Sequence, residues 1–358
     1  MTLYIHIPFC TSRCGYCTFN SFENQHALQD SFLEALLLDL QNSSHQFASH
    51  KEPLASIFFG GGTPNTLPHQ SYEKIFSTIR ESYSLTEDCE ITMEANPNLL
   101  TKEWCLHVKN LGVNRLSIGV QSFFEDKLAF LQREHSYKDI HTALDCALES
   151  GIENLSIDLI YDTPLDTPSR IYQEINQAST LPINHLSAYS LSIEKDSKLE
   201  RQGIKPTKES LFTEMRENLG NFGFLQYEVS NYAKPYKVQH NLAYWDYEDY
   251  IGCGCGAVGK VGNVRYYTHT NLTNYIAHPT HRKTESLSQS EQTFEKIFLG
   301  LRCELGVPLS LLDPRKLQPL LESRKLQPLL ESRKILLKNQ RVFASDYFLA
   351  DEIALWLA

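Results

Sequence analysis

The chain has 358 residues, 42% of them hydrophobic, with 43 acidic against 33 basic side chains and a formal net charge of −10. That length supports one large α/β unit plus a smaller domain, and the acidic balance argues against a broad nucleic-acid-binding face. An odd total of nine cysteines, no basic n-region behind Met1 and no apolar run of membrane-spanning length point to a reducing, cytoplasmic setting without a disulfide framework or transmembrane segment.

Short apolar runs alternate with segments of helical period. Leu3 to Phe9 reads as the first strand and Ala27 to Gln41 as a helix. Ser56 to Phe59 is the second strand, running into Gly60-Gly61-Gly62-Thr63-Pro64, with a helix from about Ser71. Glu90 to Ala95 is the third, followed by a helix over Glu103 to Leu111; Arg115 to Val120 is the fourth, followed by Lys138 to Glu149. Asn154 to Tyr161, a helix over Arg170 to Ala178, and a sixth strand over His185 to Ile193 complete the series. Five β-then-α units and a sixth strand predict a parallel sheet with helices outside, curled into a full or partial barrel. Beyond Ile193 the pattern loosens into an aromatic and amide-rich stretch, Tyr227 to Trp245, and a glycine loop, Gly252 to Gly256. Helical pattern returns over Phe294 to Cys303 and Leu309 to Lys338, the latter holding a direct repeat, Arg315 to Ser323 copied as Arg324 to Ser332, best read as a lengthened surface segment. Three regions are expected: a core barrel over 1–225, a connecting segment over 226–285 and a small, mainly helical C-terminal domain over 286–358.

Ligand-binding groups in such a barrel collect where strands end. Here Cys10-x3-Cys14-x2-Cys17 follows strand one, the glycines follow strand two, Glu94 and Asn96 mark strand three, Gln121 and Ser122 strand four, and Asp158 lies on strand five. Three thiolates can hold three irons of a [4Fe–4S] cluster and leave the fourth open to a ligand with amino and carboxylate groups, such as S-adenosylmethionine (SAM). A structural zinc is the alternative, but it wants a fourth protein ligand and only His6 is near in sequence. Cys89, Cys105, Cys146 and Cys303 read as ordinary packed thiols, and His135 and His185 as structural or surface groups. Cys253 and Cys255 suit packing better than a second metal site.

These motifs, with Tyr4-Ile-His6-Ile-Pro-Phe-Cys10, Asn114 to Phe123, Leu131-Gln-Arg133-Glu-His135, Leu155 to Tyr161 and Gln226 to Ala233, resemble the radical SAM core. More narrowly the chain resembles the family of oxygen-independent coproporphyrinogen III oxidase, and within it the HemW-type haem chaperones. The resemblance implies a partial (β/α)6-type radical SAM barrel. It implies cluster ligation by Cys10, Cys14 and Cys17, with Tyr16 beside the adenine, and a SAM site of Tyr4, Gly61, Gly62, Thr63, Glu94, Gln121, Arg133 and Asp158. Haem would bind through the His240-Asn-Leu-Ala-Tyr244 motif, and the partners would be a haem-acceptor protein and an electron donor for the cluster. The oxidases carry a fourth cysteine where this chain has Phe19, and an extension where it has nine residues before Cys10. The expected function is therefore haem carriage rather than the oxidative decarboxylation of coproporphyrinogen III, the alternative. One departure from the family is Tyr161-Asp162-Thr163-Pro164-Leu165-Asp166-Thr167 in place of a glycine-bearing loop, which is expected to add two carboxylates to the barrel mouth.

Overall fold

A computed structural model describes residues 1–47, 52–312 and 334–357. Six parallel strands form its centre: β1 (Thr2–Ile7), β2 (Leu54–Gly61), β3 (Leu85–Ala95), β4 (Arg115–Gln121), β5 (Asn154–Tyr161) and β6 (His185–Ser190). Each crossover carries helix: α1 (Gln29–Phe47), α2 (His69–Ser82), α3 (Lys102–Asn110), α4 (Glu125–Leu131), α5 (Tyr137–Glu149) and α6 (Pro168–Ser179). α4, which precedes α5 in one crossover, is the helix the sequence pattern does not separate from its neighbours. α7 (Lys198–Arg201) and α8 (Phe212–Asn221) follow β6.

Alternation along the strands divides the two faces of the sheet. Leu3, Ile5, Ile57, Phe59, Leu116, Ile118, Leu155 and Ile157 are fully buried in the main core with helix residues such as Leu36, Ile75, Val108 and Leu144. The opposite parity carries the polar set: Tyr4 pairs in register with Phe58, His6 with Gly60, Glu94 with Ser117, and Asp158 with Ser187. One face is thus an apolar seam against helices and the other a wall carrying polar side chains.

The segment from 225 to 286 extends the same sheet at both edges. β7 (Leu225–Gln226) and β8 (Asn231–Ala233) pair antiparallel beyond β6, while α9 (Gln239–Trp245) leads to β9 (Tyr250–Gly254), parallel to β1. β10 (Val258–Val261), β11 (Val264–Tyr267) and β12 (Lys283–Ser286) continue antiparallel, with α10 (Leu272–Ala277) between the last two. The result is an open twelve-stranded sheet, not a closed barrel.

A second core gathers α11 (Gln289–Gly300), β13 (Val307–Pro308), β14 (Ile335–Lys338), β15 (Arg341–Ala344) and α12 (Ala350–Leu357) around Ile297, Leu301, Val307, Ile335, Val342 and Ile353. The helix expected through Lys338 is not continued at its end, where Ile335–Lys338 pairs antiparallel with β15 instead. The tandem repeat at 315–332 lies outside the described residues. Among the described residues no helix is long and apolar enough to cross a membrane.

Candidate functional site

The cysteine loop leaves β1 and is pinned from outside. Phe9–Cys10 forms a short parallel ladder with Phe22–Glu23. The Gly15 amide donates to the Leu131 carbonyl at 3.0 Å, the Leu199 amide to Gly15 at 2.9 Å, and Lys198 Nζ to the Arg13 carbonyl at 2.6 Å. Cys10, Cys14 and Cys17 all line one cavity of about 320 Å3 at the C-terminal ends of the strands. Tyr16, Gly61, Gly62, Thr63, Glu94, Gln121, Arg133 and Asp158 line it too, so eleven of the fourteen residues singled out from sequence meet there.

Two thiols already have polar neighbours. Thr63 Oγ1 donates to Cys10 Sγ at 3.5 Å, and Arg133 donates to Cys14 Sγ at 3.2 Å. Arg133 is also held by Asn96 Oδ1 at 2.8 Å and the Gly119 carbonyl at 2.6 Å, while its Nε is buried with no partner. Gly62 lies so close to the loop that a Cβ there would stand 2.6 Å from the Phe9 carbonyl oxygen and 3.0 Å from Cys10 Sγ. Gln121 reaches the cavity because β4 breaks register with β5 after Ile118 and Gln121 takes φ +65°. A [4Fe–4S] cluster and a zwitterionic ligand fit this donor set: soft thiolates at the loop, an unsatisfied guanidinium nitrogen, and carboxylates opposite. Among the described residues no three His, Cys, Asp or Glu side chains converge as a single metal ion would need, whereas a cubane takes each thiolate at a separate corner. His6, the candidate fourth zinc ligand, is committed to Tyr4 Oη through Nδ1 at 3.0 Å and to the Asn20 carbonyl through Nε2 at 2.8 Å.

Burial pushes the Glu94 carboxyl up to about 8, with the nearby Asp158 charge adding to the rise, and burial raises Asp158 as well. A folded-state value above the unfolded one means that folding takes up a proton. Glu94 therefore favours folding most below about pH 4.5 and loses that contribution as pH rises toward 8, with a slope of up to about 1.4 kcal/mol per pH unit. Glu94→Gln is expected to flatten the fall of apo-protein stability between those limits; an unchanged slope in denaturant melts across pH would refute this.

Sequence reasoning misplaced one loop. Neither Asp162 nor Asp166 opens into the cavity. Asp162, at φ +63°, accepts from Ser190 and Ser210 Oγ and from the Leu211 amide, each at 2.7 Å. Asp166 accepts from the Thr163 amide and from Lys127 Nζ, within a buried group completed by Glu174. Asp is one of the few non-glycine residues that visit the left-handed region, and here three hydrogen bonds from distant parts of the chain hold Asp162 in it, so the glycines of the family loop have a substitute. Cys253 and Cys255 are buried and packed, with Sγ atoms facing Ser43 Oγ and the Thr270 carbonyl. His135 and His185 are likewise buried and hydrogen-bonded, to the Val120 carbonyl and to Ser156 and Tyr227. Ser117, Tyr189 and Glu194 line the cavity without a sequence signal of their own.

Tyr4, His240 and Tyr244 lie outside the first cavity. Tyr4 and Tyr244 line a second one, of about 570 Å3, bordered by β1, β9–β11 and α11. His240 sits on α9, whose first amides are capped by Glu90: the Gln239 and His240 amides donate to its carboxylate at 2.9 and 3.1 Å. The His240 ring stacks on Phe58 at 5.1 Å and meets Tyr244 edge-on at 4.8 Å, with Nδ1 2.8 Å from Ser56 Oγ. Its Nε2 is buried without a partner, and burial pulls the imidazole down to about 3, keeping it neutral.

The family model for the radical SAM superfamily matches residues 4–176. The heme chaperone HemW of Bacillus subtilis is 36% identical over 321 residues, covering 85% of this chain and 84% of that protein. The heme chaperone HemW of Escherichia coli is 40% identical over 271 residues, covering 73% and 70%. The solved structure of coproporphyrinogen III oxidase (HemN) from Escherichia coli aligns with a TM-score of 0.83 at 22% identity, covering 99% of this chain and 89% of that one, which marks a shared fold.

Proposed function

The chain belongs to the radical SAM superfamily and, within it, to the family of the HemW proteins, and from that premise we propose that it is a haem chaperone. It holds a [4Fe–4S] cluster and SAM in the first cavity, takes up haem beside His240 and Tyr244, and passes it to an acceptor protein. The observation that carries this reading is identity of 30% or more to heme chaperones HemW from several bacteria over most of the chain. Phe19 supports it: the side chain two positions beyond Cys17 is 68% exposed at the cavity, and it offers no fourth thiol.

Cys10, Cys14 and Cys17 would each take one iron, leaving the fourth to the amino and carboxylate groups of SAM. When bound and reduced, the cluster supplies an electron to the SAM sulfonium. The chain's own residues do the rest. Arg133 steadies the Cys14 sulfur, Gly62 leaves room at the Cys10 sulfur, and Glu94, Gln121 and Asp158 present oxygen and amide groups to the amino group and ribose of SAM. Tyr16 would lie against the adenine. A reductant protein would serve the cluster in the cytoplasm, and the chain would divide into the core over 1–225, the haem-binding connector over 226–285 and the C-terminal domain over 286–358.

The test is anaerobic reconstitution of cluster and SAM, scored in one preparation for haem uptake, haem transfer to an apo-haem protein, and decarboxylation of coproporphyrinogen III. A Soret band and transfer are the expected results. Protoporphyrinogen formation would overturn the proposal in favour of the dehydrogenase.

A further inference from the structure

The second cavity, of about 570 Å3, is walled by Tyr4, Tyr244, Tyr247, Tyr250 and Phe298. Flat aromatic walls around a volume of this size suit a large planar ligand. His240 is only 1% exposed and does not reach the cavity; Tyr244 stands between them with its ring edge-on to the imidazole.

Most side chains of that lining which could ligate iron already have partners. Both nitrogens of His6 are occupied, by Tyr4 and by the Asn20 carbonyl, and the Tyr4 hydroxyl is engaged in the first of those bonds. The Tyr247 hydroxyl donates to Glu295 at 2.8 Å. Tyr250 lies beside Arg265, whose guanidinium is held by Glu295. Tyr244 makes no hydrogen bond to another described residue, yet its ring is fixed between His240 and Tyr250, the latter at 4.6 Å and 84°. It is the one lining phenol that is both oriented and uncommitted among the described residues.

We propose, resting on the haem-chaperone reading above, that ferric haem occupies this second cavity with the Tyr244 oxygen as its iron ligand and His240 as the residue that positions the Tyr244 ring. Phenolate is a known haem ligand and, as a hard anion, favours ferric over ferrous iron. The Tyr244 O–H bond breaks as the O–Fe bond forms. The proton passes to solvent or to a carboxylate of the same lining, Glu248 or Glu295, and iron stays ferric throughout. Lys260 and Arg265 supply cations for the propionates, exchanging their present partners Asp249 and Glu295.

The experiment titrates ferric haem into the full-length, cluster-reconstituted protein and records absorbance and EPR before and after dithionite. Wild type is expected to show a high-spin ferric, phenolate-type spectrum and weaker binding once reduced. Tyr244→Phe should lose that signature and at least about tenfold in affinity. Tyr244→His should keep haem with an imidazole-type spectrum, so a folded variant reports even if the phenylalanine variant melts early. His240→Ala should retain the phenolate signature with a few-fold loss at most. An imidazole-type spectrum in wild type that disappears in His240→Ala, or an unchanged spectrum in Tyr244→Phe, overturns the assignment while leaving haem carriage intact. No haem uptake by wild type overturns both.

Discussion

Gly62→Ala is expected to give a folded protein that keeps almost no iron after anaerobic reconstitution. The space beside Gly62 is not spare room: a methyl group would sit 2.6 Å from the Phe9 carbonyl oxygen and 3.0 Å from Cys10 Sγ. The Phe9 carbonyl is itself the acceptor for the Thr63 amide at 2.8 Å, and the Gly62 amide donates to Ile7 at 2.8 Å, so neither partner can retreat without loosening the β1–β2 junction. Backbone must move, and the thiol that would bind iron moves with it. Overpacking of this kind costs about 1–3 kcal/mol, within reach of a domain of this size. Cluster assembly is more sensitive, because three thiolates must sit together. Iron and sulfide content, with EPR of the reduced sample, separates the effects: near-wild-type iron in Gly62→Ala would show that the loop adapts and that the close approach is not a constraint.

The signals in the sequence were of unequal reach. Alternation and helical period located β1 through β6 because each strand must bury Leu3, Ile57, Leu116 or Leu155 on one face and a crossover must carry the chain back. The cysteines and Glu94 were legible for a related reason, since they stand at strand ends, and Asp158 because it lies on the polar parity of β5. Gln121 was legible as a residue but not as a geometry: nothing in Val120-Gln121-Ser122 announces a break in register or a positive φ. The loop at Asp162 misled in the opposite direction. Carboxylates without glycine suggested an altered mouth, yet Asp162 takes the left-handed conformation itself and turns its oxygens onto Ser190, Ser210 and Leu211, which lie far along the chain. The edge strands β9 through β12 were missed as well: β9 is held by its pairing with β1, and β10, β11 and β12 are added to it by successive antiparallel pairing. The strand Ile335–Lys338 carries the same lesson, since β15 claims it by pairing where its own sequence reads as helix.

Asp39→Ala is expected to cost about 3–5 kcal/mol, the range for leaving one partner of a buried ion pair alone, and to disturb the cysteine loop from the far side of the sheet. Asp39 lies on α1 with its side chain fully buried, and Arg282, which reaches it from the segment between α10 and β12, is almost as buried. Burial pushes the Asp39 carboxyl above the ordinary aspartate range even against the pull of Arg282, so the ionised form depends on every donor aimed at it. Those donors are Arg282, the Tyr275 hydroxyl at 2.7 Å, the Gly254 amide at 2.9 Å and the Ser43 hydroxyl at 3.2 Å. Gly254 leads into Cys255, whose carbonyl accepts from Asn20 Nδ2 at 2.9 Å, and the Asn20 carbonyl in turn accepts from His6. Asn20 follows Cys17 by three residues. Removing the Asp39 carboxylate strands the Arg282 charge and frees the Gly254 amide, and both losses fall on the backbone that braces the end of the cysteine loop. Asp39→Ala with Arg282→Met removes both charges and should recover much of the stability, because an apolar pair of similar bulk does not strand a cation. Chemical denaturation of the two variants reads the first effect and iron content the second. A loss below about 1 kcal/mol in Asp39→Ala would place the pair among weakly coupled surface contacts, and full iron content in a destabilised variant would show that the brace does not reach the cluster.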